Sequence, residues 1–270
     1  MFKTCMKTIK RAVAPIALLA LIGFSPPASA FQPLVTDDTG TQGTGGNQLE
    51  LSFNQYRAMG PAGTDQLLSL PVGYTRGLTE TLDVFAGFRY IQIRSNNPWS
   101  DASGSGNPSF GAKWRFYEND GSKTSFAIKP EVFIPVSSVG EGSGLGTGKA
   151  SGNLTLVLTQ EVPFGAIHVN AGAGRYRWRD SLTNPDTTTA CASISPVWDN
   201  AEQWKLALDM GVESASAGDV KIRSRFVELG AIYSPSKELD VALGVLRVSF
   251  NQSAQPATQV ATAGITWRFR

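Results

Sequence analysis

The sequence contains very little histidine and cysteine, and this limits its chemistry. It has one histidine, His168, and two cysteines, Cys5 and Cys191. Cys5 falls in an N-terminal segment that we expect to be removed, so the remaining chain has no partner for a disulfide and no paired cysteines for a metal. One histidine and one cysteine do not make a typical zinc site. We therefore expect no metal and no cofactor.

Long hydrophobic runs are also missing. The longest run, Ala12–Phe24, spans roughly 13 residues and is too short to cross about 30 Å of hydrocarbon. It is followed by the small residues Ala28-Ser29-Ala30 and preceded by four basic residues: Lys3, Lys7, Lys10 and Arg11. This order is typical of a secretory signal peptide, and we predict that residues 1–30 are removed by cleavage after Ala30.

The balance of charge gives no indication of an anionic partner. Without the four basic residues of the predicted signal, the chain has 20 basic and 22 acidic residues, a net charge of −2. The slightly basic whole-chain charge is therefore a poor argument for nucleic-acid binding. We expect no nucleic-acid partner.

What the rest of the chain does have is alternation. Segments of about 10 residues alternate between polar and apolar positions and are separated by turn residues, which is the pattern of a membrane β-barrel. In one segment Phe110, Ala112, Trp114 and Phe116 share a face opposite Lys113 and other polar residues. We predict an all-β fold, an antiparallel transmembrane barrel of about 12 strands: 48–57, 66–75, 81–93, 108–117, 124–136, 151–160, 165–178, 187–197, 203–213, 225–234, 239–249 and 258–269.

The connections and the aromatic residues predict an orientation. Short connections are expected at 76–80, 118–123, 161–164, 199–203 and 235–238, and longer ones at 95–107, 137–150, 180–186 and 214–221, so both termini would be periplasmic. A soluble sandwich also alternates, but it has no reason to collect aromatic residues at one level. At the predicted periplasmic strand ends, facing lipid, lie Tyr74, Trp114, Phe116, Phe126, Trp204, Tyr233, Trp267 and Phe269. We expect a flexible periplasmic segment at 31–46 and the barrel at 47–270.

Several segments resemble a known family. They are Pro33–Gly43 (PLVTDDTGTQG), Asn47–Leu51 (NQLEL), Leu70–Thr75 (LPVGYT), Gly77–Val84 (GLTETLDV) and Gly264–Phe269 (GITWRF). The chain resembles the proteobacterial outer-membrane family labelled "putative MetA-pathway of phenol degradation", often called transporter. One departure is Arg270, which follows the aromatic residue that usually ends such chains. The resemblance implies a channel or transporter for small molecules, aromatic compounds among them, and brings no catalytic residues.

The polar face of the predicted strands would line the lumen. Two interpretations stay open: a cross-strand salt-bridge network that fills a narrow barrel, or a water-filled path whose mixed charges give no strong ion preference. Arg175 and Arg247 fall on the lipid face near the outer ends of their strands. Two interpretations stay open: contact with lipopolysaccharide phosphate, or a local bulge or frame shift of the strand. The lumen-lining candidates are Glu50, Asp83, Arg89, Lys113, Arg115, Lys129, Glu131, His168, Lys205, Asp209, Glu213, Glu228, Asp240 and Arg268.

The sequence therefore predicts a passive outer-membrane channel of a Gram-negative bacterium. Two rivals are a closed structural or adhesive barrel that acts through its outer loops and a lipid-modifying enzyme that uses His168. The enzyme is disfavoured because Asn170 stands where a barrel phospholipase would have serine. A separate motif, the glycine-rich run Gly140–Lys149, fails the phosphate-loop pattern and predicts a flexible outer loop. Expected partners are outer-membrane lipid and lipopolysaccharide, the barrel-assembly machinery and a small-molecule solute.

Overall fold

The structure, a computed structural model, describes residues 32–60, 63–96, 101–179, 184–252 and 255–270. The predicted signal peptide and its cleavage site lie outside these residues. Within them, no helix combines the length and apolar character needed to cross a membrane.

The described residues form thirteen strands and one short helix, Ser138–Gly142. Most strands alternate between exposed and buried side chains, as a two-residue repeat requires when the two faces meet different surroundings. The strands are β1 Asn47–Gly60, β2 Gly63–Gly77, β3 Leu82–Arg94, β4 Ala102–Ser105, β5 Ser109–Asn119, β6 Thr124–Phe133, β7 Ser151–Val162, β8 Gly165–Tyr176, β9 Thr187–Ala201, β10 Trp204–Ala217, β11 Val220–Tyr233, β12 Leu239–Phe250 and β13 Thr258–Phe269.

Twelve of these strands close into an antiparallel barrel. β1 pairs with β2 on one side and with β13 on the other, from Asn47↔Phe269 to Ala58↔Thr258, so the sheet has no open edge there. β4 is an addition that pairs only with the last part of β3, while β3 also pairs with β5. Closure satisfies the backbone hydrogen bonds along the wall, which lipid cannot do. The predicted twelve-strand, all-β barrel is confirmed.

Two local predictions were wrong. The connection predicted at 214–221 is mostly strand, because the β10–β11 ladder continues to Ala217↔Val220 and turns at Gly218, whose φ of +56° suits a tight hairpin. The outward positions in this part of the wall carry serines and basic residues because it lies beyond the apolar band. The sequence there therefore does not alternate clearly between apolar and polar residues. β4 was missed because its sequence, Ala-Ser-Gly-Ser, has no large apolar residue.

The outer surface carries an apolar band. Leu243 and Val245 on β12 are each 61% exposed, and Leu229 on β11 is 60% exposed. Their neighbours along the strand point inward; Leu246, for example, is only 6% exposed. A wall that exposes large aliphatic side chains and buries the intervening positions is suited to contact with lipid.

An aromatic belt marks one end of this band, at the end of the barrel that holds the start of β1 and the end of β13. We call this the terminal end and the opposite one the far end. Ring centroids lie 4.8 Å apart in Trp204–Tyr233, 4.6 Å in Trp267–Phe269 and 5.9 Å in Trp114–Phe116. All eight residues predicted for a belt lie at the terminal ends of their strands. Amphipathic rings favour the membrane interface, so the belt sets the level of the membrane.

The band gives a test of stability. Val245 lies six residues from the start of β12, or roughly 15 Å above the belt for strands tilted by about 40°. This is near the middle of the band, so Val245→Arg is expected to lower the free energy of unfolding in lipid vesicles by about 2–4 kcal/mol. Denaturant titration measures the change, and Val245→Leu is the control. Equal stability of Val245→Arg and wild type would contradict the lipid-facing assignment.

Candidate functional site in the barrel lumen

The fourteen predicted lumen residues all occupy inward positions of their strands. Five of them, Arg89, Arg115, Lys205, Asp240 and Arg268, are partly exposed. Arg175 and Arg247 are exposed at outward positions, and the alternation around both is regular. Nine of the predicted residues are buried: Glu50, Asp83, Lys113, Lys129, Glu131, His168, Asp209, Glu213 and Glu228.

The lumen is occupied by the chain's own N-terminal residues. Residues 31–46 were expected to be a flexible periplasmic lead-in. The structure describes residues 32–46, here called the plug segment, and places residues 34–39 in contact with inward-facing wall residues, while residues 40–46 lie at the terminal end and are partly exposed. Leu34 is fully buried and packs with Val197 of β9 and Ala207 of β10. The sequence did not indicate this placement because the segment is rich in glycine. Its short run Leu34–Asp37 nevertheless matches apolar and charged inward positions of the wall.

Asp209 on β10 anchors the plug segment. Its Oδ2 accepts hydrogen bonds from the backbone amides of Val35 and Thr36, both at 2.8 Å. The hydroxyl of Thr36 donates to Oδ1 at 2.6 Å and also lies 2.7 Å from Oγ of Ser193. A carboxylate that accepts several short hydrogen bonds in a buried site fixes its donors strongly.

A second anchor is ionic. Asp37 lies between two buried lysines, 3.0 Å from Nζ of Lys113 on β5 and 2.6 Å from Nζ of Lys129 on β6. All three side chains are at most 8% exposed. The amide of Asn170, turned to suit its partners, donates to the carbonyl of Asp37 at 3.0 Å and accepts from its N–H at 2.7 Å. Asp38 is more loosely held, at 3.8 Å from Lys113.

The remaining part of the plug segment leads back to the wall at the terminal end. The amide of Thr39 donates to Oγ1 of Thr159 at 3.1 Å, and the amide of Gln42 donates to both oxygens of Asp83 at 3.0 and 3.1 Å. A backbone bond of 3.0 Å from Gly45 to Gly77 then joins the segment to the end of β2. The segment therefore leaves the lumen at the terminal end, where it continues into β1.

Inward-facing glycines make room for the plug segment. Gly230 on β11 and Gly244 on β12 are directly paired. A methyl group on Gly230 would lie 2.9 Å from Cγ of Pro33, and one on Gly244 would lie 3.1 Å from Cβ of the same proline. At this level the wall is shaped for close approach of another backbone.

A loop covers the lumen at the far end. Leu145, in the connection after the short helix, is 6% exposed and packs in an apolar cluster with inward-facing side chains of six strands: Tyr56, Leu67, Ile91, Phe226, Leu246, Val248 and Val260. Asn107 holds the loop, since its amide donates to the carbonyls of Ile134 at 2.7 Å and Thr147 at 2.9 Å. Arg179 also donates to the carbonyl of Val136 at 2.6 Å.

A polar cavity of about 650 Å³ lies between the plug segment and the wall at the terminal end. Its lining carries both signs of charge, including Glu50, Lys113, Asp240 and Arg268. Arg268 and Asp240 form an ion pair of 2.7 Å across β13 and β12. The lumen is thus polar at the terminal end and apolar at the far end.

Asp37, Thr36 and Leu145 were not predicted as lumen residues. Lys113 and Lys129 gave a signal that could have found Asp37. Both were assigned to the inside of adjacent strands, and two buried cations need a nearby anion. Asp37 and Asp38 form an adjacent acidic pair in the lead-in. His168 contacts the same region, with Nδ1 at 3.0 Å from Oγ1 of Thr159.

Comparison with known proteins adds a family and a set of related folds. The model of the family described as "Putative MetA-pathway of phenol degradation" matches residues 31–269. No curated protein matches the chain. Among solved structures, the COG4313 outer membrane channel from Pseudomonas putida F1 is similar, with 12% identity and a TM-score of 0.68 over 86% of this chain and 98% of that one.

Two further structures show how widely the fold is shared. The NanC porin has 7% identity and a TM-score of 0.53, covering 81% of this chain and 98% of its own. The β domain of the Bordetella autotransporter BrkA has 12% identity and a TM-score of 0.52, covering 83% of this chain and 100% of its own. Since a channel, a porin and an autotransporter domain share this barrel, the fold alone does not determine the function.

The ionic anchor can be tested directly. Asp37→Asn leaves Lys113 and Lys129 without their shared carboxylate, and loss of one partner of a buried pair costs about 3–5 kcal/mol. The plug segment is therefore expected to leave the lumen while the barrel stays folded. Hydrogen exchange should become fast for residues 32–46 and stay slow in β5 and β6. Asp38→Asn, at the looser contact, should retain slow exchange; equal exchange in both variants would contradict the assignment.

Proposed function

The chain belongs to the family described as "Putative MetA-pathway of phenol degradation", and from this premise we propose that it is an outer-membrane channel for passive passage of small molecules. The observation that carries the proposal is that a segment outside the barrel strands fills part of the lumen. The wall closes through its own backbone ladder, whereas the plug segment is held by side-chain contacts centred on Asp37 and Asp209. Its release would clear the terminal part of the lumen without breaking a hydrogen bond of the wall, and passage would then require the Leu145 loop at the far end to move aside.

The two halves of the lumen suggest which solutes pass. The charged cavity at the terminal end suits small polar groups, and its mixed signs favour neither cations nor anions strongly. At the far end Tyr56, Ile91 and Phe226 present apolar surface inward beneath Leu145. A ring with one polar substituent matches both surroundings. We therefore propose small aromatic compounds as a solute class, in keeping with the family description.

The surroundings of the channel follow from its surface. We propose that the aromatic belt lies at the periplasmic interface, so that both termini are periplasmic, the far end faces outward and residues 1–30 direct export. Assembly would depend on the barrel-assembly machinery, which is expected to recognise the end of β13 despite Arg270. No catalytic step is proposed, because His168 and Asn170 both face the plug region.

A closed scaffold is the second candidate, and one observation favours it. The plug segment and the Leu145 loop occupy the lumen from opposite ends. If both stay in place permanently, the outer loops would carry the function. Conductance separates the two candidates, because a scaffold passes no current under any of the changes that release the plug segment.

The first prediction concerns gating. In planar bilayers, deletion of residues 32–44 is expected to give stable stepwise currents, and Asp37→Asn should open more often than wild type because its anchor is weakened. Asp38→Asn should behave as wild type. Silence of the deletion variant, despite a heat-modifiable barrel band on gels, would reject the channel in favour of the scaffold.

The second prediction concerns solute class. Small aromatic acids are expected to block the current of the deletion variant in a concentration-dependent way, whereas aliphatic acids of similar size should not, because only a ring packs against the apolar cluster. Leu145 lies on the loop, so the substitution Leu145→Ser leaves the wall intact. It should weaken the aromatic block about tenfold or more, since burying a leucine side chain is worth about 1.5–3 kcal/mol. Unchanged block would place the aromatic site elsewhere.

A further inference from the structure

A groove of about 590 Å³ crosses the outer surface of strands β9 to β12. Its floor and sides are outward-facing apolar residues, with Ile194, Met210, Val212 and Val227 between 37% and 57% exposed. Ala192 forms the deepest part of the floor because its side chain is short. The groove lies on the lipid side of the wall, and the solute path proposed above does not use it.

Basic side chains line one side of the groove and continue toward the far end. Lys221, Arg223 and Arg225 occupy successive outward positions of β11, and Arg247 is outward on β12. The register pairs Arg225 with Ser249 and Val227 with Arg247, so the two arginines are diagonal neighbours. Both arginines belong to the groove lining.

These four cations have no counter-ion in the part of the chain that the structure describes. None of them has a described carboxylate within 4.0 Å. Arg175, another exposed arginine on the outer face, differs in this respect, because its Nη2 lies 3.0 Å from Asp186. Charge on the outer wall is therefore compensated locally at Arg175, but not beside the groove.

The depth of the cations matches the membrane boundary. Arg225 is eight residues from Tyr233, and Arg247 is eight residues from Leu239. For strands tilted by about 40°, both lie roughly 20 Å above the aromatic belt, near the other edge of an apolar band about 25 Å tall. Arg223 and Lys221 are higher still. The groove lies in the same register rows as Arg225 and Arg247, because Arg225 pairs with Val212 and Arg247 pairs with Val227. An acyl chain in the groove would therefore lie beside the two arginines, at the boundary between acyl chains and headgroups.

We propose that this face binds lipopolysaccharide, with lipid A phosphate on Arg225 and Arg247 and an acyl chain in the groove. Guanidinium groups bind phosphate through paired charge-assisted hydrogen bonds. The proposal commits to lipopolysaccharide because, with periplasmic termini, the far end lies in the outer leaflet. It uses that orientation from the proposed function, but it does not require an open lumen.

The test uses the detergent-solubilised full chain and native mass spectrometry. Bisphosphorylated lipid A is titrated onto wild type and onto the double variant Arg225→Gln/Arg247→Gln. Loss of the charged contacts is expected to weaken binding at least about tenfold, since even one such contact is worth that factor. Lipid A without phosphates should bind the wild type as weakly as lipid A binds the double variant. Both substitutions remove charge from the lipid face, so folding is not at risk.

Two controls separate the site from general basicity and from channel function. Arg175→Gln, at the paired arginine, should leave lipid A binding unchanged, and Ala192→Phe, which fills the groove without altering charge, should weaken it. Equal affinity of wild type and the double variant overturns the proposal, as does equally tight binding of phosphatidylglycerol. Conductance of the plug-deletion variant should be the same with and without the double substitution, so failure of either proposal is visible separately.

Discussion

Two lysines buried inside a barrel need anions, and in this protein the carboxylate that both of them contact comes from outside the barrel strands. Lys113 and Lys129 share Asp37, so charge neutralisation of the wall and placement of the plug segment are one event. Asp209 has the complementary role, because this wall carboxylate is satisfied by amides and a hydroxyl of the segment. The occupied lumen follows from these two reciprocal contacts.

The lumen is divided by the same arrangement. Polar groups gather at the terminal end, and apolar groups gather where the Leu145 loop covers the far end. The stability of the wall does not depend on the plug segment or on the Leu145 loop, because it rests on a closed ladder of backbone hydrogen bonds and on an apolar outer band. A channel of this kind can change what fills its interior without changing its fold.

The barrel could be predicted from the sequence because alternation records which face meets lipid. All twelve wall strands were found, including Thr187–Ala201, where the alternation is weakest. The pattern fails where the outward positions are polar, as at Ser214 and Ser216, and where a strand has only small residues, as at Ala102–Ser105. Inward positions, such as that of Glu228, could be predicted from the alternation along each strand alone. Their partners did not, because contacts such as Thr36 to Asp209 span 173 residues of sequence.

The central claim is that the channel is closed when the plug segment is held against the wall, and a reversible cross-link tests it most directly. Oγ1 of Thr36 and Oγ of Ser193 are 2.7 Å apart, so Thr36→Cys/Ser193→Cys, with Cys191→Ser, should form a disulfide under oxidation. Single-channel recording is the measurement. We predict no openings when oxidised and restored openings after reduction; the same current in both states would contradict gating by this segment.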